Sequence, residues 1–492
     1  MILNFLSMFI VAPLTTSMPE AYGVYSLCIS FNIFLRYADM GFINAGRKYA
    51  AEAFSVNNYV MEKKYVGTSI FIYGSMATLL FVLALLLSSY PELVLKDINN
   101  SPYYNLAQQL LLILAFTFPL SIIQRFCSLI YSVRIEEYKI QSYQIFGSVI
   151  KIVSVPLYFF NNRYDLVGYY LFCESINLIT NLIILWDSRN IGYGYKEFGR
   201  CLKIDKKVFH EIKPLALAGF TSVIGWVTYY ELDVLGVSLL IGANAVAIYA
   251  IGKQMQNVIR SLINLVFSPY PVRINYFVGQ KDFNGLRTFY YKLVEELSFI
   301  LIPVITIVFF AKPFVISWVG EDYEDSCIIL QLLVMTFIYH HITSQGVTVI
   351  YGLNKVKDIM RLAVLQPLLL WGGIFATYKF LGLCSFAILN FVSTAIFGFY
   401  TFFLLRKYLL YSVREFYWHL FAKPILIICL SCGVFWYFAS PLLTMVHKGH
   451  HDLLLVVSLI FACCIFSFAI FLCFNNSLRK EIKGVLKFVN KW

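Results

Sequence analysis

The chain has 492 residues, 60% of them hydrophobic and only 13% charged, against about 25% charged in ordinary soluble domains. That balance excludes a soluble globular protein, and the lack of short alternating segments excludes a β-barrel. The net charge of +12 does not indicate nucleic acid, because Lys and Arg lie between apolar stretches and form no single basic face.

Apolar windows predict an all-α integral membrane protein with about fourteen transmembrane helices. In chain order these are 1–18, 21–46, 66–89, 103–126, 141–161, 165–187, 214–240, 244–270, 288–311, 325–351, 359–379, 382–405, 418–440 and 452–474. The first lacks a basic start and contains Pro13, so it reads as a retained short span and not a cleaved signal. In the second span Asn32, Arg36, Asp39 and Arg47 fall near one helical face, since eleven residues make about three turns. The fifth holds Lys151 on a face with Gln144 and Ser148, and the sixth holds Glu174. A basic connection over 188–213, with Gly192, Gly194 and Gly199, divides the first six spans from the rest. The seventh carries Glu231 and Asp233, which face different directions on a helix. The eighth carries a polar stripe of Lys253, Gln256, Asn257, Arg260 and Asn264. His340 and His341 are adjacent within the tenth. An outer loop contains Glu321, Asp322, Glu324 and Asp325, and the last outer hairpin contains His447, His450 and His451. The 11 Cys residues include Cys429-x-x-Cys432 and the adjacent Cys463 and Cys464. They show no zinc-ligand spacing and fit buried apolar thiols. No phosphate-binding G-x-x-x-x-G-K-[ST] loop occurs.

The distribution of Lys and Arg sets the orientation. One set of connections holds Arg47, Lys48, Lys63 and Lys64, then Arg125, Arg134 and Lys139, the basic 188–213 segment, and further clusters down to Arg479–Lys491. The opposite set holds only Lys96, Arg163, Lys312, Lys379 and Lys448. This skew places both termini in the cytoplasm. Tyr25 and Arg36 recur as Tyr249 and Arg260, and Leu129-Ile130-Tyr131 recurs as Val349-Ile350-Tyr351. Six-helix halves of like orientation imply two lobes related by a parallel pseudo-two-fold axis, with two C-terminal helices outside the repeat. The expected organisation is 1–190 as an N-lobe, 191–213 as a linker, 214–406 as a C-lobe, and 407–492 as the last two spans with a basic tail.

Four cations, Arg36, Lys151, Lys253 and Arg260, fall inside apolar stretches. A charge at the bilayer centre costs about 2.5–3.5 kcal/mol on insertion scales and marks a functional cavity by default. A structural alternative stands beside this: Arg36 paired with Asp39, and Lys253 and Arg260 paired with Asp233 or Glu231. Glu174 either pairs with Lys151 or carries a coupling proton. Asp39, Glu231 and Asp233 are the other candidates for H⁺ or Na⁺ coupling. No cofactor or metal is expected.

The stretch Ala21-Tyr22-Gly23-Val24-Tyr25, through Asp39-Met40-Gly41 to Arg47-Lys48-Tyr49-Ala50, resembles the polysaccharide biosynthesis (O-antigen flippase) family of the multidrug/oligosaccharidyl-lipid/polysaccharide exporter superfamily. Ala247-Ile248-Tyr249-Ala250 resembles its second-half counterpart. The resemblance implies a cavity lined by spans 1, 2, 7 and 8. Its implied cargo is an undecaprenyl-diphosphate-linked oligosaccharide, moved to the periplasmic leaflet of a bacterial inner membrane. On that map Arg36, Arg47, Lys253 and Arg260 bind diphosphate and glycan, with Asn32, Gln256, Asn257 and Asn264 as polar lining. It also implies a monomer working in the lipid bilayer beside other polysaccharide-assembly membrane proteins. Family members commonly carry a polar or basic segment before the first span, and this sequence shows none there. Two rivals remain: a cation-coupled multidrug exporter of the same superfamily, which favours acids and aromatics, and a glycan polymerase or transferase, which needs a longer outer loop.

Overall fold

The computed structural model describes residues 11–37, 39–96, 98, 102–159, 164–193, 199, 203–267, 270–353, 355–412, 414–443, 446–475 and 478–479. Among them there is helix and no strand. Among the described residues, nine helical stretches are long and apolar enough to cross a membrane, so the protein is a multi-pass helical membrane protein. Most of the expected first span, 1–18, lies outside the described residues.

By packing, the chain divides into two compact units, Met1–Ala247 and Ile248–Trp492. In the first, the helices are α1 (Pro19–Tyr37), α2 (Phe42–Ser55), α3 (Tyr59–Ser89), α4 (Tyr104–Val133), α5 (Glu137–Phe159), α6 (Leu166–Asp187), α7 (Lys206–Tyr230) and α8 (Asp233–Leu240). Helix α3 packs along α4, α2 lies against α3 and α7, and α6 packs on α4 and α5. Their ends follow local chemistry. Asn58 caps α3 by accepting from the Met61 N–H, and Asp165 caps α6 by accepting from Gly168. Asp205 caps α7 and pairs with Lys64 at 3.2 Å. That hydrogen bond, with the Val208 and Lys207 amides, holds the Asp205 carboxyl below the usual range.

Two expected spans are each broken in two. The second, 21–46, is interrupted between α1 and α2, where Met40 and Gly41 adopt φ of 48° and 81°. Glycine is required at the second of these, because a Cβ there would sit 2.6 Å from the Ala216 carbonyl oxygen. The seventh, 214–240, breaks after Tyr230, and α8 begins at Asp233. Apolar windows ran through both breaks because Asp39 at the first turn and Glu231 with Asp233 at the second are few charges within long apolar runs.

In the second unit, α9 (Ala243–Phe267, which begins just before the boundary) is followed by α10 (Tyr270–Gly279), α11 (Phe283–Leu297), α12 (Leu301–Val319), α13 (Ser326–Met335), α14 (His340–Gly352), α15 (Val356–Leu381), α16 (Cys384–Leu409), α17 (Lys423–Ala439) and α18 (His450–Phe474). Helices α11 and α12 continue through a short 3-10 turn as one span. Helix α12 packs against α13, α17 and α18, and α15 against α16. Buried aromatic residues, among them Tyr290, Phe402 and Phe416, fill one core.

Candidate functional site

The break between α1 and α2 decides what the second-span motif does locally. Asp39 is 7% exposed, and its Oδ2 accepts the Ile43 N–H at 3.0 Å. It thereby satisfies one of the unpaired amides at the start of α2. The Asp-x-Gly triplet is thus a sharp turn with a carboxylate cap. Arg36 stands on the last turn of α1 and Arg47 on α2. The eleven-residue alignment holds only on a continuous helix, so these two arginines do not share a helical face. The Arg36 side chain lies outside what is described. Arg47 is half-buried, and its Nε is buried without a hydrogen-bond partner among the described residues.

Asn32 sits further up α1 and ties three helices together. Its amide donates to the Tyr170 hydroxyl on α6 at 3.3 Å, and its Oδ1 accepts from the Thr117 hydroxyl on α4 at 3.2 Å. Next to it, Lys151 on α5 donates to Asn177 Oδ1, and the Asn177 amide donates to Glu174 Oε2 at 3.1 Å. Lys151 and Glu174 are therefore joined through an amide that the sequence reading had not singled out. At the other end of α4, Arg125 lies over the Tyr73 ring at 5.6 Å, and Tyr73 shares a 2.8 Å hydrogen bond with Ser121. Arg125 acts electrostatically on Asp39 as well, so this arginine belongs with the turn and not with a loop. Asp233 is buried at the first turn of α8, where its Oδ1 accepts the Val234 amide at 2.9 Å. Glu231 is half-buried at the end of α7. Because the helix stops between them, their relative directions are set by the break and not by helical periodicity.

In the second unit, α9 presents its stripe as one graded face. Lys253 is 5% exposed and Gln256 1%, Asn257 and Arg260 are half-buried, and Asn264 is exposed. Gln256 is the brace of this face. Its amide nitrogen donates to the Leu333 carbonyl at 3.2 Å, while its Oε1 accepts from Arg260 Nη2 at 3.4 Å. The guanidinium is thus steered by a side chain that is itself fixed to α13. His340, noted in the sequence only as one of an adjacent pair, joins this face. Its ring meets Phe267 and Phe337 edge to face, its Nε2 is buried without a hydrogen-bond partner among the described residues, and it feels the charge of Arg260. The neighbouring His341 is structural, with both ring nitrogens on the carbonyls of Ile338 and Leu420 at 3.0 and 3.1 Å. The α9 face thus gathers an ammonium, a guanidinium, amides and one imidazole, a set suited to an anion with hydroxyls around it.

Among the described residues, no group of three or more His, Cys, Asp and Glu is placed to hold a metal ion. His447 lies 3.8 Å from Glu321 at an exposed site.

A family model described as polysaccharide biosynthesis protein matches residues 17–328. No curated protein sequence matches the chain. Among solved structures, the lipid II flippase MurJ in an inward closed conformation aligns with a TM-score of 0.70 at 14% identity, covering 96% of this chain and 98% of that one. An inward-facing multidrug resistance MATE family transporter of the MOP superfamily aligns with a TM-score of 0.62 at 14% identity, over 84% and 96% of the two chains. At that identity the likeness shows a shared fold.

Proposed function

The chain belongs to the polysaccharide biosynthesis protein family, and from that premise we propose that it is a flippase for undecaprenyl-diphosphate-linked oligosaccharide repeat units. The cargo is of O-antigen or capsule type and moves from the cytoplasmic to the periplasmic leaflet of the bacterial inner membrane. The observation that carries this reading is the α9 face, where a buried Lys253 and a braced Arg260 stand on one membrane helix.

Each unpaired hydroxyl moved into hydrocarbon costs roughly 2–7 kcal/mol, so a glycan of several sugars does not cross unaided. The prenyl tail remains in lipid throughout. What the protein must supply is a wet, cationic passage for the head. Charge-assisted hydrogen bonds from Lys253 and Arg260 replace water around the diphosphate. Asn257 and Asn264 serve the sugar hydroxyls, and alternating access exposes the head to the two leaflets in turn. For an anion leaving a negative interior, the membrane potential contributes about 2.3 kcal/mol per charge per 100 mV.

Asp39 is engaged in a helix cap, Asp233 accepts the Val234 amide and Glu174 sits in the Asn177–Lys151 chain; with Glu231 these carboxylates are the candidates for H⁺ or Na⁺ coupling. Collapsing the potential and the ion gradients separately in vesicles distinguishes the two energy sources. The likeness to a multidrug transporter favours a second reading, a cation-coupled drug exporter. A deletion strain decides between them. Lipid-linked sugar accumulating on the inner leaflet supports the flippase, and drug sensitivity without such accumulation supports the exporter. Accumulation on the outer leaflet indicates a polymerase or transferase.

A further inference from the structure

The span Ser326–Gly352 is not one continuous α-helix. A 3-10 turn, Thr336–Tyr339, separates α13 from α14, and His340 opens α14 at the middle of the span. Such a turn within a membrane helix frees backbone groups that must find other partners. Here the Leu333 carbonyl accepts from the Thr336 hydroxyl at 2.6 Å and from the Gln256 amide at 3.2 Å. Gln256 is also the side chain that receives Arg260 Nη2. One amide therefore grips both the kink and the guanidinium. On the other side of His340, the Gln345 amide donates at 3.2 Å to the carbonyl of Phe267, the last residue of α9. Helix α9 is thus tied to this span before and after the imidazole, which fixes the ring beside the α9 face.

The Phe267 and Phe337 rings stand 6.2 and 5.6 Å from the His340 ring, edge to face. Buried ring nitrogens are ordinarily paired, yet Nε2 has no hydrogen-bond partner among the described residues. The residue as a whole is half-buried and not sealed in the core. The charges that act on the ring are Arg260 and the neighbouring His341. His341 is fully buried, with its nitrogens on the carbonyls of Ile338 and Leu420. Helix α13 and the 3-10 turn carry no charged residue. Glu295, Glu296 and Asp358, on the packed helices α11 and α15, do not act on the ring. An ionisable residue at mid-membrane without an acidic partner marks a functional site by default. An imidazolium beside a guanidinium is a like-charge pair and needs an anion between the two. A diphosphate supplies that anion, with oxygens enough to accept from guanidinium and imidazolium together.

We propose that His340 is a further ligand of the anionic head and binds it as the imidazolium, so that a diphosphate seated on the α9 face takes up one proton. The ligand class rests on the flippase reading above. The step moves a proton from water onto the imidazole and makes or breaks no other covalent bond; release of the head returns the proton to water. The added positive charge offsets part of the diphosphate's own charge within the bilayer, where unpaired charge is costly. It also sets anionic heads apart from neutral lipids, which give the ring no reason to charge.

The test is calorimetric titration of undecaprenyl diphosphate into the full-length protein in detergent, at about pH 7.5 and about pH 8.5, above the ordinary imidazole range. Two buffers of different ionisation enthalpy count the protons taken up. The parent should take up about one proton per head and lose about tenfold in affinity between the two pH values. His340→Gln keeps a hydrogen-bonding group that cannot charge, so it should bind more weakly, take up no proton and show no such loss with pH. His340→Asn serves if that variant does not fold. Undecaprenol, which lacks the anion, should cause no uptake in the parent. Equal uptake in the parent and the Gln variant overturns the proposal, because the proton then lands elsewhere. Binding to the parent without uptake overturns it too, and in both cases the flippase reading stands. If undecaprenyl diphosphate does not bind the parent at all, the flippase reading fails together with this one.

Discussion

Removing the Glu62 carboxylate should be among the most damaging single changes in the first unit. Glu62 is 0% exposed, on the first turn of α3. Arg134 Nη2 lies 3.1 Å from one of its oxygens and 3.2 Å from the other, and the Tyr193 hydroxyl donates to it at 3.0 Å. Arg134 in turn lies 3.9 Å over the Phe54 ring. Four segments therefore meet at one carboxylate: α2, α3, the end of α4 and the connection after α6. Breaking a buried pair from one side costs about 3–5 kcal/mol, because the remaining charge is left unpaired. The Phe54 contact keeps part of Arg134's stabilisation, so Glu62→Ala is placed near the lower end, about 3 kcal/mol. For a unit of this size that corresponds to a melting-point drop on the order of 10 °C. Thermal unfolding in detergent, followed by tryptophan fluorescence, reads it. The double variant Glu62→Ala/Arg134→Ala should be less destabilised than Glu62→Ala alone, since it leaves no orphaned charge. A Glu62→Ala protein that melts within about 1 °C of the parent would refute the idea that this cluster holds the unit together.

Three further outcomes follow from the same geometry. Asp39→Asn should flip cargo normally and Asp39→Ala should lose about 1 kcal/mol of stability; loss of gradient-driven transport in the Asn variant would instead make Asp39 a coupling carboxylate. Lys151→Met should destabilise by roughly 1.5–3 kcal/mol through loss of its charge-assisted hydrogen bond to Asn177, and adding Glu174→Gln should restore part of it, both read by melting in detergent. Gly41→Ala should reduce folded yield sharply, because its left-handed backbone costs about 1–2 kcal/mol before the clash with Ala216 is counted; a parent-like yield on size-exclusion chromatography contradicts this.

The helical membrane architecture was legible because hydrocarbon selects long apolar runs, and those runs dominate the sequence. The breaks at Met40–Gly41 and after Tyr230 were hidden, since their polar markers, Asp39 at one and Glu231 with Asp233 at the other, were read as charges within continuous spans and not as turn and cap residues. That error carried into the site: Arg36 and Arg47 were placed on one face by a helix that does not continue. The α9 stripe was readable by its spacing alone, because Lys253, Gln256, Arg260 and Asn264 fall on one helix without interruption. What spacing could not give was the division of labour within it, with Gln256 held by the Leu333 carbonyl and in turn holding Arg260. Asn177 was missed, and His340 was noted without a role, for a related reason. Their importance lies in partners far along the chain, and neither carries a fixed charge that would stand out in an apolar run. Arg125 was counted with the inner connections because it falls at the very end of its apolar window, 103–126, whereas α4 runs on to Val133 and places it within the helix.

The most direct test of the central claim is the initial rate of flipping in proteoliposomes, using a fluorescent undecaprenyl-diphosphate oligosaccharide and equal amounts of inserted protein. Each charge-assisted hydrogen bond to the diphosphate is worth about 1.5–3 kcal/mol. Lys253→Ala and Arg260→Ala are therefore expected to slow flipping by roughly 10- to 150-fold while both proteins remain folded. Parental rates in both variants would contradict the assignment of the α9 face to the anionic head.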